Sequence, residues 1–253
     1  MNQIIEAWLW LSDPARFSGA NAIPVRIGEH LFYTVIAILI AAVIAVPIGY
    51  YIGHTGKGRN VAIAVAGAAR AIPSFGLILL LVLILGVTNK SQGTTAAFVI
   101  LAIPSILAGA YAGLEAVDRR TIDAARAVGM TEWQILWKVE MPLGLPLLIS
   151  GVRAGALQVV ATVTLAAYIG LGGLGYYLFE GLQIRRYDEM LGGAVLVAAL
   201  ALIVDGAFAL VQHFVVPRGV LAGRVKDVRT PSIRHRASVG YPPTKERDRD
   251  VHS

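Results

Sequence analysis

The chain has 253 residues, of which 56% are apolar and 15% are charged, whereas soluble globular chains average roughly 45–50% apolar and about 25% charged. It contains no cysteine, which excludes disulfides, thiolate nucleophiles and Cys-ligated metal sites. The formal net charge is +6, but residues 217–253 contribute +5 of it, from nine basic and four acidic side chains. The positive charge is therefore a property of the tail and is no argument for a nucleic-acid partner. The composition predicts a membrane protein.

Five stretches are long and apolar enough to cross a bilayer, for which a helix needs about 20 mostly apolar residues. These predicted spans are 31–52, 61–87, 94–114, 142–167 and 190–216. The second contains Arg70 and Pro73, so it is either one kinked span or two short ones. Five spans are favoured because they place fifteen basic residues in cytoplasmic segments and five in outer ones. This predicts a multi-pass protein of the plasma membrane, with its N-terminus outside and its C-terminus in the cytoplasm.

Two segments flank the predicted membrane domain, 30–209. We expect residues 1–29 to be extracytoplasmic and interfacial, because the indole rings of Trp8 and Trp10 favour the headgroup level. This segment lacks a basic start and a small-residue cleavage site, so we do not expect it to be cleaved as a secretory signal. The tail, 217–253, is basic and poor in large apolar side chains, which predicts a disordered cytoplasmic segment. Binding of the tail to anionic membrane lipid is a secondary hypothesis.

The longest cytoplasmic loop contains signals for two short helices between the third and fourth spans. Thr121 precedes a helix-forming run, and Gly129 can end that helix in a left-handed conformation. Thr131 and Gln134 then form a capping-box pattern that opens a second helix. Pro142 either stops this second helix or begins the next span.

The second short helix is predicted to present an apolar face. Trp133, Leu136 and Trp137 fall at positions i, i+3 and i+4, and so share one side of the helix. Such a face suits the docking of a soluble partner. It also suits a helix that lies on the inner leaflet, or tryptophans that are anchored among the headgroups.

The order of residues in this loop resembles the EAA motif of the membrane subunits of ABC-type importers. That motif reads Glu-Ala-Ala, three residues, Gly, nine residues and Ile-x-Leu-Pro. This chain has Asp-Ala-Ala at 123–125, Gly129 and Val-Glu-Met-Pro at 139–142, so the spacing is kept with three conservative replacements.

Within that superfamily, the chain most resembles the osmoprotectant permeases, which carry glycine betaine, carnitine, choline or proline. The features that support this narrower resemblance are ARAIPSFGLILL at 69–80, GMTEWQILWKVEMPLGLPLLISGVRAG at 129–155, TLAAYIGLGGLG at 164–175, and Asp205 in the last span.

The resemblance implies an all-α type I ABC importer permease fold, with about five transmembrane helices that form the translocation pathway and with cytoplasmic coupling helices. It implies three protein partners: a cytoplasmic ABC ATPase dimer, a second permease subunit (a copy or a paralogue) and an extracellular substrate-binding lipoprotein. ATP and Mg²⁺ would bind to the ATPase, so we expect no cofactor, metal or catalytic residue in this chain. The residues expected to couple to the ATPase are Asp123, Ala124, Ala125, Gly129, Trp133, Trp137 and Pro142.

Other function classes have little support in the sequence. The nearest string to a P-loop lies at 53–58, where Tyr51 stands at the first glycine position and Gly58 replaces the hydroxyl residue. The five histidines are scattered without metal-ligand spacing. A single acid within the spans argues against ion-coupled secondary transport, and no residue grouping indicates a membrane enzyme. One alternative left open is the same type of transporter with methionine, another amino acid, a metal or a phosphonate as its substrate. The other, in a different class, is a membrane-embedded enzyme or assembly factor.

Charged side chains within the spans are candidates for an ion pair that holds the helices together, and polar side chains are candidates for the lining of the substrate pathway. An unpaired charge is costly at mid-bilayer, so we expect Asp205 to pair with Arg153 or with Arg70 inside the bundle. Polar side chains in otherwise apolar helices should line the substrate path, although Ser and Thr in membrane helices also bond to their own backbone. The pathway candidates are Ser74, Gln158, Thr162, Thr164 and Tyr168.

Overall fold

The structure is a computed structural model that describes residues 3–215, and these residues form ten α-helices and no strand. The helices are α1 (Gln3–Ser12), α2 (Ile23–Thr55), α3 (Arg59–Ala71), α4 (Ser74–Leu85), α5 (Lys90–Glu115), α6 (Arg119–Ala127), α7 (Glu132–Ile135), α8 (Met141–Ala166), α9 (Gly175–Gln183) and α10 (Tyr187–Val215). The all-α class is therefore confirmed. The tail 217–253 lies outside the described residues, so its expected disorder and location stay predictions.

Four stretches of the described chain are long and apolar enough to cross a membrane. They are Ile23–Thr55, Val87–Glu115, Glu132–Ile169 and Tyr187–Val215. The pair α3 and α4 passes the same test jointly, which brings the number of spans to five if the pair counts as one. The expectation of about five transmembrane helices is confirmed.

The second predicted span is sharply bent. α3 and α4 meet at 90° across Ile72 and Pro73, as in a broken span or a re-entrant loop. A proline disfavours helical backbone in the residue before it, and Ile72 accordingly has an extended conformation, with ψ 127°. Pro73 stands at the N-cap of α4, where its missing N–H removes no helical hydrogen bond.

α2 begins at Ile23, eight residues before the predicted start of the first span. The apolar pattern underestimates this helix because Arg26 and Glu29 lie in its first turns. In the structure these two side chains bond to each other at 2.8 Å, and Glu29 also accepts a hydrogen bond from the backbone N–H of Gly173. The helix thus extends beyond its apolar part and supports the loop that contains Gly173.

The two tryptophans of α1 lie in different environments. Trp8 is 69% exposed, whereas Trp10 is 4% exposed. The indole of Trp10 packs edge to face on Tyr177, with ring centroids 5.0 Å apart, and over Gly192, where a Cβ would collide with the ring. Trp10 therefore anchors α1 to α9 and α10, a packing role that the interfacial interpretation of both tryptophans missed.

α5 is the central helix and packs against α2, α4 and α8. Its approach to α8 is close because glycines lie on both sides. A Cβ on Gly109 would lie 2.6 Å from the carbonyl oxygen of Leu147, and a Cβ on Gly113 would lie 2.6 Å from that of Gly144. Small residues at such interfaces allow membrane helices to pack backbone to backbone. This contact holds together the two helices that flank the segment 118–140.

Candidate functional site

The segment 118–140, which we call the elbow, joins α5 to α8. Its first helix, α6, begins at Arg119, with Asp118 as the N-cap, whose carboxylate accepts a hydrogen bond from the Arg120 N–H at 2.9 Å. The predicted start after Thr121 is therefore wrong by almost one turn. Asp118 precedes Thr121 in the chain and is an equally good capping residue, so the helix begins at the earlier of the two.

Gly129 ends α6 as predicted. Its φ of +86° lies in the left-handed region, its N–H bonds to the carbonyl of Arg126 at 2.9 Å, and the next N–H, of Met130, bonds to that of Ala125 at 3.1 Å. These two bonds form a Schellman motif, which satisfies the last carbonyls of the helix and turns the chain. Gly129 is exposed, and a Cβ there would meet no atom of this chain within 4 Å.

The second elbow helix is continuous with the fourth span. Thr131 and Gln134 form the predicted capping box, with both reciprocal hydrogen bonds present. After α7, a π-helical turn at Leu136–Glu140 leads directly into α8, with Pro142 in the first turn of α8. Of the two roles left open for Pro142, the structure therefore shows the start of the span. The π turn adds one residue per turn, which rotates the side chains that follow it.

The predicted apolar face of α7 is divided between surface and interior. Trp133 and Trp137 are 68% and 51% exposed, and their rings meet edge to face with centroids 5.6 Å apart. Leu136 instead packs inward against a buried cluster that includes Tyr50 and Leu114. All three side chains nevertheless line one apolar cavity of about 480 Å³ beside the end of α2, so the predicted shared face is confirmed, with Leu136 on its inner side.

The elbow and the residue before it share a small hydrophobic core. Val117, Ile122, Ala125 and Ile135 are buried together. Ala125 therefore has a packing role, whereas Ala124 is exposed and the side chain of Asp123 is 71% exposed. Of the coupling residues expected from the motif, Asp123, Ala124 and Gly129 are the ones that α6 and its turn leave exposed.

Arg126 bridges the two helices of the elbow. Its guanidinium donates to the carboxylate of Glu132 at 2.7 and 3.0 Å and approaches Asp123 at 3.4 Å. The hydrogen bonds to Glu132 raise the pKa of Arg126 above its ordinary value, so it stays charged. Both partners are about half exposed, so the pair orients α6 against α7 more than it stabilises the fold.

A second polar contact joins the elbow to the end of α2. The Nδ1 atom of His54 lies 2.5 Å from the carboxylate of Glu140, a residue that is 3% exposed. The π turn places Glu140 in this position. This contact has no local signal in the sequence, since 86 residues separate the two side chains.

A cavity of about 330 Å³ lies beside the break between α3 and α4. Its polar lining is Arg70, Ser74, Ser105 and Gln158, and its apolar lining is Ala69, Ile72 and Leu101. The structure thus brings together two of the proposed pathway residues, Ser74 and Gln158. It adds Ser105 and Arg70, which were not assigned to a pathway.

The other three pathway candidates do not line this cavity. Thr162 is buried and donates a hydrogen bond to the carbonyl of Gln158 at 2.7 Å, the backbone alternative for a membrane-helix threonine. The hydroxyl of Thr164 is buried, with no partner among the described residues. Tyr168 is 58% exposed, and its ring lies between those of Phe75 and Phe179, at 5.1 and 5.6 Å.

The three charges inside the predicted spans separate into a pair and a single cation. Arg153 donates to both carboxylate oxygens of Asp205, from Nε and from a terminal nitrogen, each at 2.5 Å. Of the two partners expected for Asp205, the structure shows Arg153, and Arg70 forms no ion pair with any residue in 3–215. The reason is its position at the end of α3, next to the bend, where it lines the cavity.

The glycine-rich loop 170–175 closes one end of the bundle. Gly170, Gly172 and Gly173 have positive φ values, and a Cβ on Gly172 would collide with the Glu29 side chain. The imidazole of His30, which is buried at the start of α2, accepts from the N–H of Leu174 at 3.2 Å and donates to the carbonyl of Val160 at 2.9 Å. This loop is thus pinned to α2 and α8 at the end of the bundle opposite the elbow.

Comparison with known families decides what these features belong to. Residues 45–220 match the family described as the inner membrane component of binding-protein-dependent transport systems. The chain belongs to this family. It is a multi-pass membrane permease, the membrane component of a transport system that includes a substrate-binding protein.

Curated relatives of the permease cover most of its length. It is 33% identical over 195 residues to the glycine betaine/carnitine/choline transport system permease protein OpuCB of Bacillus subtilis, covering 77% of this chain and 89% of that one. It is 34% identical over 200 residues to the carnitine transport permease protein OpuCB of Listeria monocytogenes, covering 79% and 91%.

A solved structure establishes the fold of the permease. This chain superimposes on a chain of the inward-facing MetNI methionine ABC transporter with a TM-score of 0.67 and 24% sequence identity. The superposition covers 76% of this chain and 95% of the other. The expected type I ABC importer permease fold is thus confirmed.

Proposed function

We propose that this permease forms the translocation pathway of an ATP-driven importer for compatible solutes that carry a quaternary ammonium group, such as glycine betaine, carnitine and choline. The observation that supports this substrate class is the match to two permeases with those substrates in their names, over about nine tenths of each relative. Substrate affinity would reside largely in a separate extracellular binding lipoprotein. A second permease subunit, either a copy or a paralogue, would complete the pathway.

The elbow is the proposed docking site for a cytoplasmic ABC ATPase dimer, which would hold the ATP and Mg²⁺. Asp123, Ala124, Gly129 and Trp133 are exposed on it, as is Val128, at 78%. The Schellman turn and the ion pair between Arg126 and Glu132 keep its two helices in one geometry, and the π turn continues into α8 without a break. A push on the elbow would therefore reach the fourth span as the movement of a connected lever.

Substrate uptake is the direct test of the proposed function. The permease, its ATPase and its binding protein are reconstituted in liposomes, and uptake of labelled glycine betaine, carnitine and choline is measured with and without ATP. We expect ATP-dependent uptake of one or more of the three and none of labelled methionine. Uptake of methionine alone, or ATP-independent uptake, would contradict the proposal.

The orientation of the permease can be tested cleanly because the natural chain has no cysteine. Val128→Cys places one thiol on the elbow, and Ser18→Cys places one on the exposed loop before α2. In intact cells, a membrane-impermeant maleimide should label Ser18→Cys only, and after permeabilisation it should label both. Labelling of Val128→Cys in intact cells would place the elbow outside and remove the basis for ATPase docking.

A further inference from the structure

Arg70 is a cation in a membrane domain that supplies it with no counter-ion. Among residues 3–215, no carboxylate approaches it, and no acidic side chain lines its cavity. The other arginine within the spans, Arg153, is fully engaged with Asp205. An arginine that faces hydrocarbon without a partner is costly, so such side chains face a water-filled cavity or pair with an anion.

The position of the cavity is that of a pathway site. Leu101 and Ser105 lie in the middle of α5, and Gln158 lies past the middle of α8, so the cavity lies near the middle of these spans. It opens onto the surface of this chain, where Arg70 and Gln158 are exposed. Two short helices that meet at a sharp bend line its other side. Discontinuous helices beside a polar cavity near the midplane are the usual surroundings of transported substrates.

The chemistry of the cavity suits a carboxylate. Arg70 offers a planar set of donors that matches two carboxylate oxygens, and Ser74, Ser105 and Gln158 offer further hydrogen bonds. α4 begins at Ser74, beside Pro73, so the positive end of its dipole adds to the potential there. The volume of 330 Å³ is at the small end of the range of roughly 300–1,000 Å³ for small-molecule pockets.

We propose that this cavity binds the carboxylate of a passing zwitterion through Arg70, which makes the pathway selective for quaternary ammonium compounds that carry a carboxylate. Glycine betaine and carnitine have that group, whereas choline has a hydroxyl in its place. With a positive charge and no acid in the lining, the cavity disfavours a bare cation. This inference rests on the proposed function and, within its substrate class, makes the zwitterions better substrates than choline.

The test measures uptake in the same liposomes with one binding protein held constant and substrates at saturating concentration. Arg70→Gln should lower the uptake of glycine betaine and carnitine by about tenfold or more, since one charge-assisted hydrogen-bond pair is lost, and should leave choline uptake unchanged or raise it. Arg70→Lys keeps the charge but not the planar fork, so it should fall between the wild type and Arg70→Gln. The matched control is Arg59→Gln, which removes the same charge from the other end of α3, outside the cavity, and should leave the ratio of substrates unchanged.

A second variant keeps the inference testable if Arg70→Gln fails to assemble. Gln158→Glu retains Arg70 and places a competing carboxylate in the same cavity, so uptake of the zwitterions should fall while uptake of choline is kept or rises. An equal loss of all three substrates in the assembled variants, or an unchanged ratio, would overturn the role of Arg70. Absence of uptake of all three by the wild type would instead contradict the proposed function itself.

Discussion

Gly129→Trp should abolish solute uptake while the ATPase in the complex continues to hydrolyse ATP. The residue is exposed, and the space around its missing Cβ is free of atoms of this chain, so the indole would project into the surface that we assign to ATPase docking. The bulk would hold the two proteins apart and break the mechanical link. We expect the number of solute molecules transported per ATP to fall by roughly tenfold or more, the scale of a lost interface anchor. The measurement is uptake and phosphate release in the same liposomes.

Two further variants at this position separate bulk from backbone strain. A side chain other than that of Asn or Asp costs about 1–2 kcal/mol in the left-handed conformation that Gly129 adopts, at φ +86°. Gly129→Ala carries this strain with little bulk, and Gly129→Asn avoids most of it. Both should keep most of the uptake. If Gly129→Ala were as inactive as Gly129→Trp, the geometry of the turn alone would explain the loss, and the docking argument would fail.

The span positions follow from hydropathy, because a bilayer imposes one length and one polarity on every crossing helix. The sharp bend between α3 and α4 has a local signal in Pro73, although the 90° angle depends on packing against α5. The start of α2 was misplaced because charged residues such as Glu29 leave the apolar pattern while the helix continues. Hydropathy indicates which part of a helix lies in the lipid, whereas the helix itself can continue beyond that part.

The elbow shows where local signals are sufficient. Gly129 and the capping box at Thr131 specify backbone conformations through interactions within a few residues, and both are confirmed. The π turn at Leu136–Glu140 was missed because one extra residue per turn leaves no mark in a pattern of apolar residues. That turn is also what directs Glu140 toward His54.

The polar residues of a single helix do not show which of them face the candidate pathway. Ser74 and Gln158 were predicted, but Ser105 was overlooked, and Thr162 was included although it bonds to its own helix. Which polar side chain faces a cavity depends on the rotation of each helix against its neighbours. Contacts between residues far apart in the chain, such as that of His30 with Leu174, likewise have no local signal.

The choice of counter-ion for Asp205 also depends on tertiary packing, and it leads to a prediction for the charge pair. Reversal of either charge, as Arg153→Asp or Asp205→Arg, places two like charges side by side in the bundle and should lower uptake by about tenfold or more. The double swap restores opposite charges at the same two positions on α8 and α10 and should recover most of the uptake. The amount of assembled complex in the membrane is measured in parallel, because an unpaired charge also impairs insertion.

The substrates whose uptake the double swap recovers distinguish a structural ion pair from a substrate-binding site. A structural ion pair does not contact the substrate, so the double swap should restore the uptake of glycine betaine and of choline in the same proportion. A substrate site would be sensitive to which position holds the cation, and the ratio of the two solutes would then change on swapping. Since the two guanidinium bonds to Asp205 already satisfy both carboxylate oxygens, we expect an unchanged ratio. A double swap that assembles normally and remains inactive for both solutes would show that the pair does more than hold α8 to α10.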